Sequence, residues 1–107
     1  MSTSQDFIQY VCEQIRGVGS IRYKKMFGEY MVYINDKPIL LVCDETVFVK
    51  MRVEIQALMQ DSGITIGKPY EGAKEHYVLD IDNGELAKDV INILEPITPV
   101  PKPRRGK

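Results

Sequence analysis

Few residues in this sequence can carry catalytic or metal chemistry. The 107 residues include no tryptophan, one histidine and two cysteines. Because His76 is the only histidine, a Ser-His-Asp or Cys-His arrangement has a single candidate base. A zinc site would need Cys12, Cys43 and His76 from three separate elements, since the sequence contains no CxxC pair. No glycine-rich phosphate loop follows a predicted strand, so the sequence predicts no catalytic residue, no metal site and no cofactor.

Long apolar runs are also missing. No run approaches the roughly 20 residues that span a bilayer, and the first six residues, Met1 to Asp6, lack the basic and apolar regions of a signal peptide. We therefore expect a cytoplasmic protein without membrane contact. In that compartment Cys12 and Cys43, both in apolar surroundings, are predicted to be buried free thiols rather than a disulfide.

Length and composition favour one globular domain. The chain is 44% hydrophobic and 27% charged, and 107 residues suffice to bury a core without disulfides or metals. We predict a domain over residues 1 to 97. Residues 98 to 107 have too little apolar content to fold and are predicted to be a disordered, proline-rich basic tail.

The charge is distributed unevenly along the chain. Four of the fourteen basic residues lie in the last six positions, which leaves ten against fifteen acids and a formal charge of −5 on the body. An acidic body argues against general nucleic-acid coating. The body's one basic segment runs from Arg16 to Lys25, and such a run is typical of a solvated face. The candidate nucleic-acid or partner contacts are Arg22, Lys24 and Lys25 with Lys102, Arg104 and Arg105 of the tail.

Hydrophobic spacing indicates a helix followed by a meander. Ser4 is a candidate N-cap for a helix that ends at Gly17 and Gly19. Its apolar residues recur at helical spacing: Phe7, Ile8, Val11, Cys12 and Ile15. Four short β-rich runs follow, separated by turns at Phe27–Glu29, Asn35–Pro38 and Asp44–Thr46. We predict that Gly28 lets the first hairpin turn tightly by adopting a positive φ.

The second half of the sequence, from Arg52 onward, predicts a short helix, a strand region and a final helix. A short helix follows Arg52 with apolar residues Val53, Ile55, Ala57, Leu58 and Met59, and Ser62-Gly63 ends it. A strand start at Ile64–Ile66, a loop and a last strand at His76–Asp80 come next. Asp82 and Glu85 form a predicted capping box for a final helix. The expected fold is a two-layer α+β domain with a central antiparallel meander.

The third predicted strand suggests contact with a second molecule. Ile39 to Cys43 is apolar at every position, which is typical of a central strand covered on both faces. Cover on both sides needs helices on each face or a partner subunit, so the sequence predicts a homodimer. Tyr23, Tyr30 and Tyr33 are interpreted as half-buried aromatic packing in the sheet.

One run of residues resembles a known family. Met26-Phe-Gly-Glu-Tyr-Met-Val-Tyr33, an Asn-Asp turn, an apolar strand and Val47-Phe-Val-Lys50 are similar to the N-terminal domain of the TfoX/Sxy competence regulators. The resemblance covers roughly residues 5 to 95 and includes the later strand His76-Tyr-Val-Leu79. Met31 and Ile81 replace a glycine and a proline that relatives often carry, so we expect local differences there. The matching motif positions are Met26, Phe27, Gly28, Tyr30, Tyr33, Lys50 and Tyr77.

The resemblance implies an α/β domain linked to transcriptional control of DNA uptake through an unidentified protein partner. It implies no enzyme activity, metal or cofactor. From the charge distribution we expect weak non-specific nucleic-acid contact at most. Full-length regulators add a C-terminal helical domain that this sequence lacks, so a stand-alone domain is expected. One alternative is a homodimeric protein-interaction domain with no nucleic-acid role. Another is an enzyme that uses His76, Lys50 and a tyrosine.

Overall fold

The computed structural model describes residues 5–26, 29–63, 65–69 and 71–99. Its helices are α1 (Gln5–Gln14), α2 (Gln56–Asp61), which follows a 3-10 turn at Val53–Ile55, and α3 (Gly84–Ile97). Its strands are β1 (Ile21–Met26), β2 (Glu29–Ile34), β3 (Lys37–Cys43), β4 (Thr46–Lys50), β5 (Ile66–Gly67) and β6 (His76–Leu79). The predicted α+β class and order of elements are confirmed. None of these helices is long and apolar enough to span a membrane.

The described strands form one antiparallel sheet in the order β1-β2-β3-β4-β6-β5. Strands β1 to β4 pair in chain order, and β6 lies between β4 and β5. In this order β1 and β5 are the edge strands, while β3 and β4 are central. Because side chains alternate along each strand, the register divides the sheet into two faces.

One face packs against all three helices in a single core, and we call it the helix face. Its buried strand residues are Tyr30, Val32, Ile34, Leu40, Val42, Val47, Val49, Tyr77 and Leu79. The helices contribute Ile8 and Val11 from α1, Met59 from α2 and, from α3, Leu86, Ala87, Val90, Ile91 and Leu94. Burial of this apolar surface is the main stabilising contribution.

None of the described helices packs on the other face, and we call it the open face. The register places on it Arg22, Lys24, Met31, Tyr33, Pro38, Leu41, Phe48, Lys50, His76 and Val78. Of the two kinds of cover predicted for β3, the described helices supply only one face, and cover of the other face by a partner subunit stays a prediction. Leu40 and Val42 are buried on the helix face, whereas Leu41 on the open face is half-buried. The apolar run of β3 correctly indicates a central strand, but α1, α2 and α3 all lie on one side of the sheet.

Two predicted hairpin turns are present as expected. Asn35 and Asp36 have φ of 53° and 68°, and Asp44 and Glu45 have φ of 53° and 58°. Positive φ at both central residues is the combination of a type I′ turn, whose twist suits antiparallel strands. The prediction for Gly28 lies outside the described residues.

Two local predictions in the helices are wrong. Asn83, not Asp82, caps α3, because its Oδ1 accepts a hydrogen bond from the Leu86 amide at 3.1 Å. Asp82 instead accepts one from the Tyr10 hydroxyl, which links the start of α3 to α1 and raises the pKa of Tyr10.

Around α2 the core residues are Ile55 and Met59, while Val53 is 76% exposed. A helix that begins with a 3-10 turn shifts its buried face, so spacing alone misassigned Val53.

The two cysteines are free, as predicted, but half-buried rather than buried. Cys12 lies on α1, and Cys43 lies at the end of β3. Burial raises the pKa of the Cys12 thiol. Burial and then the nearby Glu29 carboxylate raise the pKa of Cys43. Both thiols are therefore weak nucleophiles at neutral pH.

A polar seam joins the β2–β3 turn to α3 and to the start of β1. Asn35 accepts a hydrogen bond from the Ser20 amide at 2.9 Å and donates one to Glu95 at 3.4 Å. Lys37 Nζ lies 3.1 Å from the Glu95 carboxylate and donates to the Glu95 carbonyl oxygen at 2.8 Å. A Cβ atom on Gly19 would lie 2.9 Å from the Asn35 amide, and its φ is +146°, so this approach requires glycine.

Replacing Glu95 with glutamine should reduce the pH dependence of stability. Hydrogen bonds from Lys37 and then from Asn35 hold the pKa of Glu95 below its usual value. Since the folded-state pKa is the lower one, this stabilisation is complete above the unfolded pKa and is lost as the pH falls through the folded pKa. Below about pH 4.3 the unfolding free energy of the wild type should therefore fall more steeply than that of Glu95→Gln.

Urea unfolding at several pH values measures this difference. Lys37→Met removes the first donor and should flatten the profile in the same direction. Glu75→Gln replaces an exposed acid in the loop before β6 and serves as the matched control. Parallel profiles for wild type and Glu95→Gln would contradict the assignment.

Candidate functional site

An apolar row crosses the centre of the open face. Met31 pairs with Leu41, Leu41 with Phe48, and Phe48 with Val78, so the four side chains are neighbours on adjacent strands. All but Phe48 are half-buried, and Phe48 is 7% exposed although it lies outside the main core cluster. The row is already rigid, because each residue sits on a paired strand.

Basic groups border this row. Lys50 and His76 are directly opposite each other on β4 and β6. The His76 ring meets Phe48 edge-on at 6.4 Å between centroids, and its Nδ1 lies 2.8 Å from the Lys74 carbonyl oxygen. Lys24 pairs with Met31 at the β1 side of the row. The open face therefore combines an apolar centre with a basic border.

The basic run predicted as one contact patch divides between the two faces. Arg22 and Lys24 lie on the open face, whereas Lys25, opposite the buried Tyr30, lies on the helix face. Arg22 is already engaged: its guanidinium is 2.9 Å from Asp36 and 5.6 Å from the centroid of Tyr33. The remaining predicted contacts, Lys102, Arg104 and Arg105, lie outside the described residues.

The family-motif residues also divide by face. Tyr30 and Tyr77 are buried in the helix-face core, at 7% and 4% exposure. Tyr30 also packs edge-on against Tyr23, with centroids 5.5 Å apart. Tyr33 and Lys50 lie on the open face. The side chain of Met26 and both Phe27 and Gly28 are outside the described part of the chain.

The catalytic alternative gains little support from this geometry. Lys50 and His76 are neighbours, but Tyr33 lies on β2, with β3 between it and β4. The Nδ1 atom of His76 contacts a backbone carbonyl rather than a nucleophile. In residues 5–26, 29–63, 65–69 and 71–99, no group of three or more His, Cys, Asp or Glu could hold a metal ion.

The open face offers little room for a small molecule. The open-face recess lined by Met31, Leu41, Phe48 and His76 has a volume of about 110 Å³, against about 300 to 1,000 Å³ for typical ligand pockets. Among the described side chains, every buried nitrogen and oxygen atom has a hydrogen-bond partner. No unpaired polar group therefore marks a ligand position in this part of the chain.

Sequence reasoning missed the apolar row itself. Met31, Phe48 and Val78 each belong to a predicted strand, and no local feature of the sequence distinguishes them from ordinary strand residues. The sequence does contain one signal: in a strand such as Tyr30 to Ile34, apolar residues occupy the positions that point to each of the two faces of the sheet. Only the strand register shows that the apolar residues of the open face are neighbours across four strands.

Comparison with known proteins identifies the family. The family model of the TfoX N-terminal domain matches residues 13–82. The chain belongs to the TfoX N-terminal domain family. It is also 28% identical over 109 residues to the "uncharacterized 12.7 kDa protein in trpE 5′ region" of Spirochaeta aurantia, with 100% of this chain and 93% of that protein covered. The matched range contains the whole of β1 to β6, so the TfoX domain described by the family model includes both faces of the sheet.

Proposed function

We propose that this TfoX N-terminal domain is a small cytoplasmic regulatory module that acts through protein partners, in the transcriptional control of DNA uptake. The observation that carries the proposal is the apolar row of Met31, Leu41, Phe48 and Val78 on a sheet face that none of the described helices covers. Antiparallel sheets often leave one face to water, but that face then carries polar residues. An uncovered face with an apolar centre instead suits a protein partner.

The shape of the open face favours a protein over a small ligand. Its recess is shallow and small, while the apolar row extends over four strands. Lys24 and Lys50 lie at its border, which gives the apolar-centre, polar-rim pattern of protein interfaces. Family membership supports a regulatory rather than a catalytic role.

The regulatory role can be tested with the double variant Met31→Glu/Leu41→Glu. Both residues are half-buried on the open face, so the charges should block a partner while leaving the helix-face core intact. In the source organism, we expect transcripts of DNA-uptake genes to change to the level of a gene-deletion strain. Val53→Glu, at a 76% exposed position beside α2, is the control and should behave as wild type.

Two results would count against the proposal, each in a different way. If the deletion strain keeps wild-type transcript levels, the regulatory role is wrong. If deletion alters transcripts but Met31→Glu/Leu41→Glu does not, the open face is not the contact surface. Thermal unfolding of the purified variants checks that both remain folded.

A second copy of the chain is the alternative occupant of the open face. Leu41 and Cys43 of the central strand β3 are half-buried in the single chain, so a homodimer would complete their cover. A stable interface should bury more than about 1,000 Å² in total. In this alternative the domain is a dimeric interaction module without a nucleic-acid role.

Light scattering of the protein at tens of micromolar distinguishes a second copy of the chain from a different protein as the occupant of the open face. If the second copy occupies the open face, the wild type and Val53→Glu should have a dimer mass, and Met31→Glu/Leu41→Glu a monomer mass. A monomeric wild type would rule out the homodimer and leave the face to another protein. A dimer that persists in the double variant would place the interface elsewhere.

Nucleic acid should bind weakly and without sequence preference. Arg22 is paired with Asp36, and neither aromatic ring on the open face offers a free surface for base stacking: Phe48 is 7% exposed and Tyr33 lies under Arg22. The few remaining cations would contact only a handful of phosphates. We expect a dissociation constant near 10⁻⁴ M at physiological salt, with a log–log salt slope of about −0.9 per phosphate on duplex DNA.

A titration of an unrelated duplex at two salt concentrations tests this expectation. The intact chain is compared with a chain truncated after Thr98, which removes Lys102, Arg104 and Arg105. Weaker binding after truncation would assign the contacts to the tail, and unchanged binding would exclude it. Tight, salt-resistant and sequence-selective binding would contradict the prediction.

A further inference from the structure

Strand β1 presents an unpaired edge. It stands at one end of the strand order, and no described residue pairs with its outer side. The Asn35 amide donates to the Ser20 carbonyl at 2.8 Å, which fixes the alternation of hydrogen bonds between β1 and β2. In an antiparallel pair, alternate residues direct their backbone groups inward and outward. Arg22 and Lys24 therefore pair with β2, while Ile21, Tyr23 and Lys25 direct their N–H and C=O groups outward.

The other edge is much less suited to adding a strand. β5 has two residues, Ile66 and Gly67, whereas β1 has six. An extended segment paired with β1 can form several hydrogen bonds in a row, and one paired with β5 cannot. The outward groups of β1 are thus the better template for a further strand.

An open groove of about 530 Å³ runs between α1 and β1 on the helix-face side. We call it the α1–β1 groove; its lining includes Asp6, Cys12, Glu13, Ile21 and Tyr23. Cys12 and Ile21 are half-buried and Tyr23 is 39% exposed, so they give the groove apolar surface. Every second side chain of a strand added to β1 would enter this groove.

The positive charge of β1 indicates which kind of segment can pair with this strand. β1 carries Arg22, Lys24 and Lys25 within four positions, and neither lysine has an ion-pair partner among the described residues. A second copy paired antiparallel through β1 would set these cations against each other, which is destabilising. Acidic side chains on an added strand would instead meet Lys24 on the open-face side, and beside it Arg22, whose guanidinium also pairs with Asp36. On the groove side the acids Asp6 and Glu13 disfavour further acids, so apolar residues fit there.

We propose that β1 is the docking edge for an extended segment of a partner protein in which acidic and apolar residues alternate. The segment adds a strand beside β1, with its acidic side chains toward Arg22 and Lys24 and its apolar side chains in the α1–β1 groove. This inference rests on the proposed function, because it assumes that the domain acts through protein partners. It concerns a different surface from the open face, so the two can fail separately.

The probe is a nine-residue peptide of alternating glutamate and valine, added to the full chain. On binding, we expect slowed hydrogen exchange at the amides of Ile21, Tyr23 and Lys25, measured by NMR. Maleimide labelling of Cys12 in the groove should slow, while labelling of Cys43 on the open-face side of β3 should not change. Mildly alkaline conditions suit the labelling because burial raises the pKa of Cys12.

Three variants separate charge from backbone pairing. Lys24→Glu should weaken binding of the acidic peptide by about fivefold, since an attractive pair on the open-face side becomes repulsive. Lys25→Ala removes one cation, and Lys25→Pro removes the same cation together with the outward N–H. Proline is tolerated at an edge position whose N–H faces solvent. Weaker binding by Lys25→Pro than by Lys25→Ala would therefore confirm the backbone pairing.

Several outcomes would overturn the proposal. These are equal binding of an alternating lysine–valine peptide, no binding of the acidic peptide at millimolar concentration, or no protection of the outward amides. Protection of these amides in the free protein, together with a dimer mass, would assign the edge to a second copy instead. Failure here leaves the open-face test with Met31→Glu/Leu41→Glu unaffected, so the two results remain distinguishable.

Discussion

The helices α1, α2 and α3 all pack against one face of the sheet, and the rest of the structure depends on this asymmetry. Burial of the helix face supplies the core, and it forces every alternate side chain of the same strands outward. On an ordinary half-covered sheet these outward positions are polar. Here Met31, Leu41, Phe48 and Val78 occupy them, so the residues that stabilise the single chain and those proposed to bind a partner lie on opposite sides of the same strands.

The two candidate surfaces are held by elements with little freedom to move. Type I′ turns fix the register of β2, β3 and β4. The seam of Asn35, Lys37 and Glu95 attaches one of these turns to α3, and Ser20 attaches the start of β1 to the same turn. A partner would therefore meet preformed strands and would not have to order a loop, which lowers the entropic cost of binding.

Sequence patterns predicted the elements well because they depend on local periodicity and turn chemistry. The meander, the positions of two hairpin turns and the order of the helices followed from neighbouring residues. The predictions that failed depended on which face of the sheet a residue occupies. Lys24 and Lys25 are adjacent in sequence but lie on opposite faces, and Leu41 is apolar but lies on the open face. Asn83 and Asp82 are both good caps, and the hydroxyl of Tyr10, far away in sequence, decides which of them is free to cap α3.

The division of the motif between the two faces has a consequence for classifying proteins of this family. Tyr30 and Tyr77 belong to the core, so sharing them indicates that two chains fold alike and says little about what each one contacts. Tyr33 and Lys50 stand on the surface where partners would differ. Substitutions at outward strand positions leave the core intact, and members could therefore acquire new partners without losing the fold. Subgroups within the family are better drawn from the outward positions of the strands than from the motif as a whole.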